Sequence, residues 1–257
     1  MVDLLRHEEI EPIYESFIEK NGIVQEKCIR PRSIPFLDHD VFGKWILRKT
    51  KPLTIFIAEA PPWSYSDQSK KPYFYSEEYN KNCVRDMTRI LLDSLDIRGS
   101  SKKERLELFK KEGYLLLDAI KCPVDVEYLR EASKMHSLLR DSGKKILAKE
   151  LQYLAAEEQL RCIVALGGSS RIALKAGISC KGLPRNRMKK WIQDFDKDKN
   201  PIYRVILSSS VTVPVLPWIF PSPWNDEGKH FAECRMKKAI EKYLEKYEQD
   251  MRSRQKA

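Results

Sequence analysis

Short apolar runs alternate with stretches of helical spacing through the middle of this sequence. Three runs, at 53–58, 114–120 and 161–166, are nearly continuous in apolar residues, which is typical of parallel strands buried on both faces. A fourth stretch, 203–220, is rich in β-formers. Apolar spacing predicts helices at 4–20, 78–95, 102–112, 126–158 (two pieces, divided near Ser142 and Gly143), 171–176 and 227–250.

This alternation predicts a three-layer α/β/α fold with a central, mostly parallel four-stranded sheet and extra N- and C-terminal helices. We see no internal repeat or linker, so one domain is expected over 1–257. Its core covers about 53–226, with an N-terminal extension at 1–52 and a C-terminal helix and basic tail at 227–257.

Composition narrows the class of protein. Hydrophobic residues make up 42% of the chain and charged residues 33%, as in soluble globular proteins. No apolar run approaches the roughly 20 residues that span a bilayer, and the N-terminus lacks the apolar region of a signal peptide. The sequence therefore predicts an intracellular protein that does not enter a membrane, located in the cytoplasm or nucleoid, or in the nucleus of a eukaryote.

Cysteine and charge patterns bear on cofactors and partners. None of the six cysteines forms a Cys-x-x-Cys pair, which argues for reduced thiols rather than a zinc ribbon. The net charge of +10 favours phosphate-rich partners. Five basic residues and no acidic residue lie between Lys181 and Lys190, where they form either a nucleic-acid contact or a solvated face.

Ligands of open α/β sheets bind beyond the carboxyl ends of the strands, so the loops after 58, 118, 166 and 220 are the candidates. Glu59 follows the first strand, where a carboxylate can hold a water or a ligand, or is simply solvated. Asp118 interrupts the second apolar run near its end, and it either accepts a hydrogen bond from a ligand or caps a turn.

The third loop is rich in glycine and serine. Gly167, Gly168, Ser169 and Ser170 precede a short helix, and Arg171 adds a positive charge. Backbone amides at such a helix start bind anions, although the same residues also make a plain N-cap.

The fourth loop is stiffened by two prolines. Pro221, Ser222 and Pro223 lead to Trp224 and Asn225. A tryptophan presented at a loop tip suits an aromatic wedge or a stacking platform for bases. The alternative is that Trp224 packs against its own domain.

Together, the four loops resemble the uracil-DNA glycosylase superfamily. Ala58-Glu59-Ala60-Pro61 is similar to Gly-Glu-Ala-Pro-Gly, the first motif of its thermophile-type families, and Leu115–Ala119 resembles the strand that ends in the base-reading Asn. Leu166–Ser169 resembles the loop that grips DNA phosphates. Phe220–Asn225 resembles the His-Pro-Ser-Pro-Leu-Ser/Asn loop, whose leucine position is Trp224 here. The resemblance spans roughly 53–226.

The resemblance implies a monomeric DNA glycosylase of base-excision repair. Such an enzyme flips a damaged, deaminated base out of double- or single-stranded DNA and hydrolyses its N-glycosidic bond, without a metal or other cofactor. Catalysis would fall to Glu59 and Asp118: Asp118 reads the base, and either carboxylate orients the water. The base pocket would comprise Ala60, Pro61, Phe74, Tyr75, Asp118 and Phe220, with Phe74 or Tyr75 stacked on the base.

The remaining roles concern DNA binding. The resemblance assigns DNA contacts to Gly167, Gly168, Ser169, Ser170, Arg171, Pro221, Ser222, Pro223, Trp224 and Asn225. Trp224 would wedge into the duplex, and the basic run at 181–190 is a further candidate.

The sequence departs from the family pattern at important positions. Phe220 replaces the His that stabilises the departing base, and Asp118 replaces the Asn that reads uracil. An ionised Asp only accepts hydrogen bonds, so it would repel O4 of uracil; it could hold an exocyclic amine, or be protonated if burial raises its pKa. Only Cys122 matches an iron–sulfur ligand of the thermophile-type families, which predicts no cluster.

Two alternatives stay open at this point. The chain could be a catalytically weak or inactive nucleic-acid-binding protein on the same fold, as the loss of the motif His suggests. It could also be an unrelated α/β enzyme, although neither Gly-x-Gly-x-x-Gly nor a P-loop occurs in it.

Overall fold

The computed structural model describes residues 51–59, 74, 87–120, 132–157, 159–181, 202–209, 211–218 and 235–255. Within them the strands are β1 (Leu53–Ala58), β2 (Tyr114–Asp118), β3 (Leu160–Leu166), β4 (Ser179–Lys181), β5 (Tyr203–Ile206) and β6 (Thr212–Trp218). The helices are α1 (Met87–Ser94), α2 (Lys102–Lys111), α3 (Ala132–Ser142), α4 (Ala148–Glu157), α5 (Gly167–Gly177) and α6 (Arg235–Gln255). A π-helical segment, Gly143–Leu147, joins α3 to α4.

The strands form one mixed sheet in the order β2-β1-β3-β6-β5-β4. The strands β2, β1, β3 and β6 are parallel, whereas β5 pairs antiparallel with both β6 and β4. The predicted α/β class, with a mostly parallel sheet flanked by helices, is confirmed.

The predicted number of four strands is wrong, because the described part of the sheet has six. The stretch 203–220 contains two strands, β5 and β6, joined by a tight turn in which the Leu207 amide donates to the Val211 carbonyl at 2.9 Å. The other additional strand, β4, lies at the edge of the sheet and has only three residues, too few for any periodicity to show.

The parallel strands carry the core because they are covered on both faces. All six residues of β1 and all five of β2 are buried, as their unbroken apolar sequences predict. On one face, Phe109 of α2 packs against Phe56 and Tyr114, with ring centroids 5.9 and 5.4 Å apart. Phe74 joins this aromatic cluster at 5.3 Å from Phe109.

Several predicted helices are present with different bounds. The described part of the predicted helix at 78–95 is α1, and 102–112 corresponds to α2. The C-terminal helix ends at Gln255 rather than 250. The predicted helix at 4–20 lies outside the described residues.

The predicted division into two helical pieces near Ser142 and Gly143 is present, since α3 ends at Ser142, but the chain does not leave the helical conformation there. Instead the helix widens into the π segment there. A Cβ on Gly143 would overlap the Ala173 carbonyl of α5, and a Cβ on Gly177 would overlap the Gly143 carbonyl. The two glycines therefore let the π segment and α5 approach backbone to backbone.

The hydroxyl of Tyr243 fixes α6 to the sheet. Tyr243 is 1% exposed. Its oxygen accepts from the Tyr203 amide at 2.7 Å, and its hydroxyl donates to the Val215 carbonyl at 2.8 Å. These two backbone groups belong to paired residues of β5 and β6, so the hydroxyl bridges the two strands at this position. Burial raises the pKa of this phenol well above its ordinary value, which keeps it protonated.

We predict that Tyr243→Phe lowers the free energy of unfolding by about 1–3 kcal/mol, because it leaves a buried donor and a buried acceptor without their partner. Tyr247→Phe is the matched control on the same helix, since its exposed hydroxyl makes only a 3.4 Å contact with the Thr212 carbonyl. Denaturant unfolding of both variants measures the difference. Equal losses would contradict the bridging role.

Candidate functional site

The carboxyl ends of β1 and β2 are tied together beyond the strands themselves. Ala58 lies in register with Asp118. The Ala119 amide donates to the Ala58 carbonyl, and the Ile120 amide donates to the Glu59 carbonyl, each at 2.9 Å. The predicted site residues Glu59 and Asp118 are thereby held at neighbouring positions on one edge of the sheet.

A side-chain contact brings the loop after β3 to the same place. The Ser169 hydroxyl of α5 donates a hydrogen bond to Oε2 of Glu59. Ser169 lies in the first turn of α5, so the carboxylate is located at a helix N-terminus, where the helix dipole favours a negative charge. Three of the four predicted strand-end elements thus meet at this edge.

The side chains of Glu59 and Asp118 point to opposite faces of the sheet. Side chains alternate along a strand, so Asp118 belongs to the face of Leu116 and Tyr114, which α2 covers. Glu59 turns instead to α5. Asp118 is 8% exposed, whereas Glu59 is partly exposed. Asp118 is therefore shielded from solvent, whereas the Glu59 carboxylate is accessible to it.

The Gly/Ser turn differs from its prediction in one respect. The helix α5 begins at Gly167, not after Ser170, so Gly167, Gly168, Ser169 and Ser170 form its first turn rather than a loop before it. Gly167 has a φ of 80°, a conformation that favours glycine. The residue before it, Leu166, offers no capping side chain, which explains why no start signal appears in the sequence at this position.

The described residues that we predicted to bind DNA phosphates differ in their exposure. Gly168 is exposed, and Gly167 and Ser169 are partly exposed. Ser170 is fully buried and donates to the Leu166 carbonyl at 2.8 Å. Arg171 is 5% exposed, and its Nε donates to the Gly167 carbonyl at 2.9 Å. Burial lowers the pKa of this guanidinium.

Phe74 lies in the core rather than over an open pocket. It is 8% exposed and meets Phe109 edge to face at 65°. Stacking on a flipped base would require its ring to leave this cluster. The other predicted pocket and DNA-binding positions lie outside the described residues; they are Ala60, Pro61, Tyr75, Phe220, Pro221, Ser222, Pro223, Trp224 and Asn225.

Ser142 is a supporting residue that sequence reasoning missed. Its hydroxyl donates to the Ala119 carbonyl at 2.5 Å, and its side chain is buried. Since Ala119 directly follows Asp118, this bond anchors the loop that carries the candidate base reader. The sequence signal was the Ser142-Gly143 pair inside a helical pattern, which we interpreted as a break.

Two observations bear on cofactors and membranes. Among the described residues, no three His, Cys, Asp or Glu side chains lie together as metal ligands would. Burial raises the pKa of the Cys162 thiol to about 12, so that it stays protonated at neutral pH. None of the described helices has the length and apolarity that crossing a membrane demands.

Comparison with protein-family models, with curated proteins and with solved structures gave no match to this chain.

We predict that Glu59 and Ser169 are energetically coupled by about 1 kcal/mol, the usual net contribution of a partly exposed hydrogen bond to a charge. A double-mutant cycle with Glu59→Ala and Ser169→Ala, followed by denaturant unfolding, measures this coupling. The control cycle pairs Glu59→Ala with Ser170→Ala, whose hydroxyl bonds elsewhere, and we expect coupling below about 0.5 kcal/mol. Similar values in the two cycles would refute the contact.

Proposed function

We propose that this chain is a DNA glycosylase of the uracil-DNA glycosylase superfamily, acting in base-excision repair. It flips a damaged, deaminated base into a pocket at the carboxyl edge of the sheet and hydrolyses the N-glycosidic bond. The observation that supports the proposal most is the arrangement at this edge: Glu59 and Asp118 lie at neighbouring backbone positions of adjacent strand ends, and Ser169 contacts Glu59.

In this proposal Glu59 orients the attacking water and accepts its proton. One carboxylate oxygen accepts from Ser169, and the other can accept from a water molecule. The serine fixes the carboxylate orientation, as a positioned general base requires. The water oxygen attacks the C1′ carbon of the sugar while the bond to the base breaks. The water proton passes to the carboxylate, and the base leaves with its electron pair.

Asp118 selects the base. Its side chain is buried. The next residue, Ala119, is held at both backbone groups: its amide donates to the Ala58 carbonyl, and its carbonyl accepts from the Ser142 hydroxyl. An ionised carboxylate accepts hydrogen bonds only, so it suits a base edge that presents an amine or N–H donor. With phenylalanine at position 220, the departing base anion would depend on backbone dipoles for stabilisation.

A second candidate is a protein on the same fold that binds nucleic acid without releasing a base. Two observations favour it: the Phe74 ring is packed in the core, and the Glu59 carboxylate already has a structural partner in Ser169. In that case the edge residues serve stability and DNA positioning rather than bond cleavage.

We predict that Glu59→Gln slows base release by about 10²–10⁴-fold, the usual contribution of a positioned base, and that Asp118→Ala slows it because the flipped base loses its hydrogen-bond acceptor. The measurement is single-turnover strand nicking at the abasic product, on duplexes and single strands that carry one uracil, hypoxanthine, xanthine or mismatch. Glu245→Gln, an exposed carboxylate on α6, is the matched control and should retain the parental rate.

Unchanged rates in both site variants would refute the assigned roles. Salt-dependent DNA binding with no base release from any of these substrates would refute the glycosylase and favour the binding protein.

A further inference from the structure

Four exposed cations follow one another along the helical run that carries Ser142. Arg140 belongs to α3, Lys144 and Lys145 to the π segment, and Lys149 to α4. All four side chains are exposed. We call these four residues the cation row. They form two i, i+4 pairs, Arg140 with Lys144 and Lys145 with Lys149, which cover about 14 Å of helix length at 1.5 Å per residue. The pairs lie about 100° apart around the helix, because Lys144 and Lys145 are consecutive.

The cation row has no acidic partners within the described part of the chain: none of its four side chains forms an ion pair or hydrogen bond there. Asp141, the one carboxylate between Arg140 and Lys149, is partly exposed, and Glu150, which follows Lys149, is 3% exposed. Other described helices differ. Lys110 pairs with Glu107 on α2, and Arg254 pairs with Asp250 on α6.

Such an arrangement is unfavourable for the helix itself. Like charges at i and i+4 repel, and the row contains two such pairs without compensation. Local features that oppose stability tend to occur at functional surfaces. The opposite side of the same helical run is apolar and packs against α5, with Leu139, Ile146 and Leu147 fully buried. The outward face therefore offers charge alone, without the apolar surface that a membrane-bound helix inserts.

We propose that the cation row binds the phosphate backbone of nucleic acid and holds it beside the carboxyl edge of the sheet, an inference that rests on the proposed function. The link to the site is Ser142, which lies within the row's span and donates to the Ala119 carbonyl, next to Asp118. Lysine and arginine contact phosphates without reading sequence.

The experiment compares two triple variants that remove the same charge. One is Lys144→Gln/Lys145→Gln/Lys149→Gln in the row. The other is Lys103→Gln/Lys238→Gln/Lys242→Gln, with three exposed lysines on α2 and α6. Affinity for a DNA duplex of about 20 base pairs without any lesion is measured by fluorescence anisotropy between about 50 and 200 mM salt. Circular dichroism and thermal unfolding check that both variants fold.

In the row variant, we expect the slope of log affinity against log salt to become shallower by about 2–3, close to 0.9 for each phosphate that the protein no longer neutralises. Between about 50 and 200 mM salt, the parent's affinity for the DNA duplex then falls about 20–60-fold more than the affinity of the row variant. The control variant should shift the slope by less than about 1. We also expect the row variant to unfold at no lower temperature than the parent, since it removes only repulsive pairs.

Equal slopes in the two variants would overturn the proposal, and so would an absence of parental DNA binding at the lowest salt concentration. An affinity for phosphatidylserine vesicles that depends on the row, together with unchanged DNA binding, would overturn it in favour of a membrane surface. Base release is assayed separately at saturating protein. A row-dependent slope without base release would refute the glycosylase alone, whereas base release with equal slopes would refute the cation row alone.

Discussion

The position of β1 between β2 and β3 is the constraint on which the rest of the structure depends. Every residue of β1 is buried, and its parallel register with both neighbours places three strand ends at one edge of the sheet. The ladder continues past the strands through the Ala58 and Glu59 carbonyls. Since these are main-chain bonds, the sheet sets the positions of Glu59 and Asp118 relative to each other along the strands, and these positions do not depend on their side chains.

A second layer of contacts holds that edge from outside the sheet. The close approach of Gly143 to α5 fixes the π segment, and the neighbouring Ser142 hydroxyl then reaches the Ala119 carbonyl. From the other direction, α5 presents Ser169 to Glu59. Both supports involve α5, so a disturbance of its packing would reach the loops after β1 and β2 together. π segments of this kind recur at functional sites, where the extra residue redirects side chains.

The sequence was informative where burial alone decides the structure. The strands β1, β2 and β3 follow from unbroken apolar runs, because a strand covered on both faces has no reason to alternate. The start of α5 at Gly167 could not be predicted, since it has no capping side chain and depends on a positive φ and a contact from Glu59. The bond from Ser142 to Ala119 spans 23 residues, so only tertiary packing creates it.

Electrostatics poses the sharpest problem for the proposed function, and the geometry suggests how it is solved. Glu59 and Asp118 are both acidic, and Arg171, the cation nearest in sequence to the α5 start, is buried against its own helix. A phosphate backbone approaching this edge therefore meets repulsion from the carboxylates that the chemistry requires. In the proposed function, the cation row on the helical run that carries Ser142 offsets that repulsion while it leaves the pocket itself acidic. If the cations bind the DNA backbone and the carboxylates carry the chemistry, no phosphate has to occupy the α5 N-terminus, and Glu59 stays there.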